Sequence, residues 1–285
     1  MLRRRERQRT SSHLAFEHVA LLDRGPTLTL AVPAGSFVAI VGPAASGKSK
    51  LLGVVSGREK ATRGEVMRPE SVFSVDETAF VRRDRPSAIA KRALGDQDRA
   101  RIADALSALG LWDDRNRSIA NLGTSQQVAA RFIEPLIDTP GLMASDGDLD
   151  HLDPWTRDRL WRLLQDRRAE GMTFVYTTNA AELAEFADLV VVLKDQQVIF
   201  SDSPQALVRS LSSSTVTVET NDHPGALALA NPFEVEVTET PTGIRFEVAE
   251  GQQLAAKLLL EGYGDVRHIL VRHPSFREAL ARVLG

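Results

Sequence analysis

"FVAIVGPAASGKSK", residues 37–50, passes from a continuous apolar run into a glycine-bounded loop and on into residues that favour helix. Residues 42–49 match G-x-x-x-x-G-K-[ST] in full, with an apolar strand before the loop and "KSKLLGVVSG" continuing it as a helix. A loop of this kind wraps backbone N–H groups around a phosphate chain at the positive end of the helix. Gly42, Pro43, Ala44, Ala45, Ser46, Gly47, Lys48, Ser49 and Lys50 are therefore expected to bind a nucleotide. Lys48 is expected to reach the β- and γ-phosphates, and the Ser49 hydroxyl to bind Mg2+. The competing reading, a glycine-rich turn that binds nothing, does not account for the strand and helix on either side.

Outward from the loop, residues 14 to about 200 alternate short β-rich runs with helical stretches, which predicts an α/β fold of P-loop NTPase type. Helices are expected over 48–56, 98–109, 126–138, 154–169 and 180–186. Texture changes at the three serines 212–214, after which the order reads β, short helix, β, turn, β, helix, β, helix. Its first six elements follow the split βαβ order of a ferredoxin-like α+β domain. The expected organisation is a nucleotide-binding domain over 12–212 and a small C-terminal domain over 213–285.

Bulk composition narrows the function. A chain of 285 residues with formal net charge -3 does not read as a nucleic-acid binder, although "MLRRRERQRT" gathers five arginines, taken as a solvated tail. Without cysteine there is no disulfide framework and no thiolate metal site, in keeping with a reducing cytoplasm. No apolar stretch follows the arginines as in a secretory signal, and "LVVVL", 189–193, is far too short to span a bilayer. Work at a membrane would go through a partner.

"ASDGDLDHLDP", residues 144–154, sets four aspartates within eight positions. Asp146, Asp148 and Asp150 fit the alternating ligands of an EF-hand, but His151 stands where the sharp turn needs glycine and Arg157 where a bidentate glutamate belongs. In P-loop proteins Mg2+ also takes a carboxylate from the end of a neighbouring strand, and Asp146 closes the apolar run "GLMAS". Asp153 reads as the cap of a helix that starts at Pro154.

With these residues in view, the stretch from 14 to 205 resembles the nucleotide-binding subunits of ATP-binding-cassette (ABC) transporters. "PGLMASDGDLDHLDPWTR" is similar, without gaps, to that family's Walker B and D-loop, with Asp146 as the magnesium aspartate and Leu152, Asp153 and Pro154 as the D-loop. Leu122, 24 positions before Asp146, stands where the LSGGQ signature begins. The resemblance implies ATP and Mg2+ as cofactors, and two subunits that sandwich two nucleotides between one P-loop and the other signature. It also implies a membrane-spanning partner and a peripheral position on the cytoplasmic, inner face of a membrane. The C-terminal "VRHPSFREAL" resembles the ending of ABC-2 exporters, keeping Val271, Arg272, Pro274, Ser275 and Glu278 of a longer phrase.

Several positions depart from the family pattern. Gly147 occupies the place of the glutamate that activates the attacking water, and Asn179 the place of the switch histidine. The signature reads Leu122, Gly123, Thr124, Ser125, Gln126, so side chains stand at two positions where backbone should approach a partner's nucleotide. Glu77 aligns with the Q-loop glutamine and would add a carboxylate near the metal. No aromatic lies in "VALLDRG", where the family stacks adenine, and Lys50 replaces a small hydroxyl residue. Loss of a general base costs about 10²- to 10⁴-fold in rate. The expectation is an exporter subunit that binds Mg·ATP, hydrolyses it slowly or not at all, and pairs with a second ATP-binding chain. A soluble pseudo-ATPase that uses nucleotide-dependent dimerisation as a switch is the alternative. A P-loop kinase or GTPase is disfavoured by the spacing from signature to Walker B.

Overall fold

The computed structural model describes residues 12–24, 26–75, 83–94, 99–210, 214–262 and 266–285. The chain divides into two compact units, with the boundary between Pro204 and Gln205. In the first unit a three-stranded antiparallel sheet is formed by β1 (Ser12–Ala20), β2 (Leu28–Pro33) and β4 (Arg63–Met67), in the order β2-β1-β4. Its larger sheet has six strands, β3 (Phe37–Val41), β5 (Val72–Ser74), β6 (Leu142–Asp146), β7 (Thr173–Thr177), β8 (Leu189–Lys194) and β9 (Gln197–Asp202), in the order β5-β6-β7-β3-β8-β9. Only the β8/β9 pair is antiparallel.

Every residue of β3 and β7 is buried, as expected of parallel strands covered on both faces, and this is why "FVAIV" and "TFVYT" read as unbroken apolar or small runs. Helix α1 (Lys48–Ser56) follows β3 and places Leu51, Leu52, Val54 and Val55 in one core with Leu14 and Phe16 of β1, Ile40 of β3 and Val175 of β7. On α6 (Pro154–Ala169), Trp161 meets Phe37 edge-on at 5.1 Å and Tyr176 at 6.0 Å. The Tyr176 hydroxyl donates to the Leu183 carbonyl at 2.8 Å, and burial raises its pKa.

Some expectations needed revision. The helix read over 126–138 is two helices, α4 (Thr124–Arg131) and α5 (Ile133–Asp138), separated at Phe132. Pro135 explains the break, since it has no N–H to offer the Arg131 carbonyl and its ring would collide with it. The helix read over 180–186 is a single turn, α7 (Ala181–Ala184). Among strands and α-helices of the first 212 residues, three had not been foreseen: the strand β4, the helix α2 (Pro86–Leu94), which is followed by α3 (Arg99–Ala108), and the helix Pro204–Ser210. Asp146 does not end a strand adjacent to the P-loop strand either: β7 lies between β6 and β3. Both strands still finish at the same, carboxyl edge of the sheet, where ligands of open α/β sheets bind.

After α8 (Pro204–Ser210) the second unit runs β10 (Ser214–Thr220), α9 (His223–Ala230), β11 (Val235–Thr240), β12 (Gly243–Val248), α10 (Gly251–Glu261), β13 (Val266–Arg272) and α11 (Phe276–Leu284). The strand order is β11-β12-β10-β13, antiparallel throughout. That is the βαββαβ connectivity of a ferredoxin-like unit. Val216, Val218, Ile244 and Phe246 form its core with Ala226 of α9 and with Leu254 and Leu258 of α10. No described helix is long and apolar enough to cross a membrane.

Candidate nucleotide site

The loop after β3 is shaped by backbone that side chains would obstruct. Gly42 has φ 156°, and a Cβ there would stand 2.2 Å from the Leu193 carbonyl oxygen and 2.6 Å from the Ser46 hydroxyl. Gly47, at φ 98°, precedes α1 and accepts the Leu51 N–H at 2.9 Å. Ala45 adopts φ 62° without the freedom of glycine, a left-handed conformation that costs roughly 1–2 kcal/mol. The β8–β9 turn, with Asp195 at φ 51° and Gln196 at φ 60°, braces the loop through the Gln196 N–H, which donates to the Ser46 carbonyl at 3.0 Å.

Lys48 curls back over the loop and donates to the carbonyls of Gly42 at 2.8 Å and Pro43 at 2.9 Å. Burial lowers its pKa, and the charges of Asp146 and Asp150 act in the opposite sense. Ser49 is exposed at the start of α1. The Ser46 hydroxyl is buried without a hydrogen-bond partner. A phosphate chain with a divalent cation fits this set: a glycine-opened loop, a helix start, a lysine held over the loop and an aspartate across from it. The Lys50 ammonium donates to the Leu21 carbonyl at 2.7 Å, fastening α1 to the segment after β1 that carries no aromatic residue.

Each aspartate of the acidic stretch has its own task. Asp146, at the end of β6, accepts the Thr177 hydroxyl at 2.6 Å and remains partly exposed. Asp148 is buried, and it accepts Arg131 of α4 at 3.0 Å and the Ser145 hydroxyl at 2.9 Å. Asp150 accepts the Asn179 backbone N–H at 2.9 Å and also the Thr178 hydroxyl. Asp153 caps α6 by accepting the Thr156 N–H at 2.9 Å. Hydrogen bonds, led by the one to Ser125, hold its carboxyl down at about 2. Among the described residues no group of three or more acidic or histidine side chains could hold a metal ion unaided.

Gly147, directly after Asp146, has φ 74°, and a Cβ built on it meets nothing within 4 Å. Space for a carboxylate exists there, but the backbone is set for glycine. Glu77 lies outside the described residues. Of the signature residues, Leu122 is buried and Gly123 and Thr124 are exposed. The Gly123 N–H donates to the Gln126 side chain at 3.2 Å, which in turn donates to Asp114 at 2.6 Å. Ser125 turns inward to accept the Asp153 N–H at 3.0 Å. Asn179, after β7, is exposed apart from its bonds to Asp150.

The charged stretch 83–94 carries the partly buried helix α2, and Arg92 pairs with Asp84 at 3.3 Å. The C-terminal phrase has a structural part to play. Ser275 caps α11 by accepting the Glu278 N–H at 3.3 Å, and Glu278 accepts Arg272 at 2.7 Å and the Ser275 N–H at 2.8 Å. Sequence reasoning missed Asp150, because its partner Asn179 is 29 positions away and only the fold joins them.

Residues 26–147 match the ABC transporter family. The chain is 29% identical over 201 residues to the macrolide export ATP-binding/permease protein MacB of Shewanella sp. strain ANA-3, covering 62% of this chain and 30% of that protein. It is 33% identical over 184 residues to the aliphatic sulfonates import ATP-binding protein SsuB of Rhodopseudomonas palustris, covering 60% of this chain and 66% of that protein. The chain thus spans less than two thirds of the length of either relative. In fold it is similar to the dimeric ATP-binding cassette MJ0796 bound to ADP and Pi, with TM-score 0.58 and 21% identity over 67% of this chain and 98% of that one. A bacterial Atm1-family ABC exporter with ATP bound gives TM-score 0.60 at 16% identity, over 69% of this chain and 39% of that one. Over residues 26–147 the chain carries an ABC transporter family domain, and such a domain implies ATP binding.

Proposed function

We propose that this ABC-type chain is the ATP-binding subunit of an exporter complex, that its own site holds Mg·ATP and hydrolyses it slowly, and that it pairs with a second ATP-binding chain and a membrane-spanning subunit. The observation that carries the reading is Gly147: the position after Asp146 offers no group able to take a proton, on backbone at φ 74°. Bound Mg·ATP would supply the scissile phosphoanhydride and a cation to draw charge from it.

This chain's residues bind and orient. Backbone N–H groups of residues 44–49 and the Lys48 ammonium hold the phosphates, and Ser49 and Asp146 stand on the metal side. Thr177 fixes the Asp146 carboxylate in place. Asn179, an amide, hydrogen-bonds but does not titrate. Thr124 puts a side chain on the surface offered to a partner's nucleotide and Ser125 ties that turn inward to Asp153, so the opposite composite site is slowed as well. The export direction is supported by the C-terminal resemblance to ABC-2 subunits; the relatives include both an exporter and an importer.

Affinity purification of the tagged full chain from native membranes, with identification of the chains that accompany it, tests the proposal. Recovery of a polytopic membrane protein together with a second cassette chain that keeps its catalytic glutamate is the expected result. A purely soluble complex would favour the pseudo-ATPase switch.

A further inference from the structure

We propose that Asp150 sets nucleotide preference: fastened to the turn after β7, its carboxylate places a fixed negative charge beside the terminal-phosphate end of the P-loop and weakens the site's preference for a nucleoside triphosphate over the diphosphate. The inference rests on the nucleotide-binding reading above.

Asp150 Oδ2 accepts the backbone N–H of Asn179 at 2.9 Å and its Nδ2–H at 3.4 Å, and Oδ1 accepts the Thr178 hydroxyl. The Thr178 side chain is itself fully buried, and its oxygen also accepts the Ala180 N–H at 3.0 Å. These bonds anchor the carboxylate to the turn, and they engage donors that an incoming anion could otherwise use. The turn follows β7, the strand that separates the Asp146 strand from the P-loop strand, so Asp150 sits at the carboxyl edge between the two halves of the site. Lys48 feels the charges of both Asp146 and Asp150. In loops of this pattern that lysine reaches the β- and γ-phosphates, which brings Asp150 within Coulomb range of them.

The two carboxylates differ in what faces them. A divalent cation offsets the charge of Asp146, which stands on the metal side. Asp150 is hydrogen-bonded to neutral donors at Thr178 and Asn179 and shares the Lys48 ammonium with Asp146, and the part of its charge that Lys48 does not offset acts on the nearest phosphate. The triphosphate puts its additional negative charge at that end, so it is repelled more than the diphosphate.

The test compares dissociation constants of the full chain for Mg·AMP-PNP and Mg·ADP by calorimetry, in the native protein and in Asp150→Asn, Asp150→Ser and Asn179→Ala. Asp150→Asn keeps an acceptor for the Asn179 N–H and turns an amide donor toward the Thr178 hydroxyl oxygen, which can accept it, and Asp150→Ser guards against a folding defect peculiar to the first variant; thermal unfolding without nucleotide reports on both. Both Asp150 variants should tighten Mg·AMP-PNP about tenfold and leave Mg·ADP within about twofold. Asn179→Ala retains the charge and should not restore the preference. Equal effects on both nucleotides, or none, from folded variants would overturn the inference while leaving nucleotide binding intact. A native chain that binds neither nucleotide would overturn both readings.

Discussion

The backbone N–H of Asp153 donates to the Ser125 hydroxyl at 3.0 Å, tying the turn that ends the acidic stretch to the first turn of α4. Signature and D-loop regions are thus joined within one chain by a side chain that stands at a glycine position of the family pattern.

Asp153 is also the cap of α6, and its carboxyl titrates at about 2 against an ordinary carboxylate value of about 3.9 in the unfolded chain. Between those values the unfolded state binds more protons, so the stabilisation is complete above about pH 5 and is lost as pH falls through about 2. Asp153→Ala should cost about 1 kcal/mol at neutral pH, measured by urea unfolding. The difference between the two proteins should shrink at acid pH.

Asp148 is buried and paired with Arg131, so its removal takes away one of the ties that hold α4 to the turn after β6. Asp148→Ala is expected to destabilise by about 2 kcal/mol, because the Ser145 hydroxyl and the guanidinium lose an acceptor together. Denaturant midpoints of the variant and the native chain give the comparison. A change below a few tenths of a kcal/mol would place that pair among ordinary surface contacts.

Gly147→Glu restores a carboxylate on backbone at φ 74°, where an L side chain carries a strain of roughly 1–2 kcal/mol. The variant should unfold at a lower temperature and gain less than about tenfold in ATP turnover, with Asn179 and the altered signature still in place. Combining it with Asn179→His should add more turnover than either change alone. A large gain from the single substitution would mean that the backbone at residue 147 adapts readily.

Much of this was legible in the sequence, for physical reasons. The P-loop, the buried strands and Asp153 announce themselves through local chemistry: glycines at forced backbone, unbroken apolar runs, a capping aspartate before proline. In the C-terminal unit, alternation in "TVTVET" and the helical apolar spacing of "GQQLAAKLLLEG" sufficed for the element order. Strand β4 was missed because "RGEVM" buries little and shows no alternation. The break at Phe132 was overlooked although Pro135 signals it. Neither Asp150 with Asn179 nor Ser125 with Asp153 could be read from spacing, since the partners lie 29 and 28 positions apart and meet only through the tertiary fold.

Lys48→Ala removes the ammonium that closes over the loop carbonyls, and with it the only lysine of the phosphate-binding pattern itself. It should abolish detectable Mg·ATP binding while leaving the unfolding midpoint of the nucleotide-free chain within about 1 kcal/mol of native.

The central claim, a site that grips the triphosphate yet lacks a proton acceptor at Gly147, is tested most directly by loading the isolated full chain with an equimolar amount of radiolabelled Mg·ATP and following the bound nucleotide over time. The account predicts tight, Lys48-dependent retention of intact ATP, with turnover below about 0.1 s⁻¹, two orders under a typical enzyme rate. Cleavage at several per second by the native chain, or no retention at all, would contradict it.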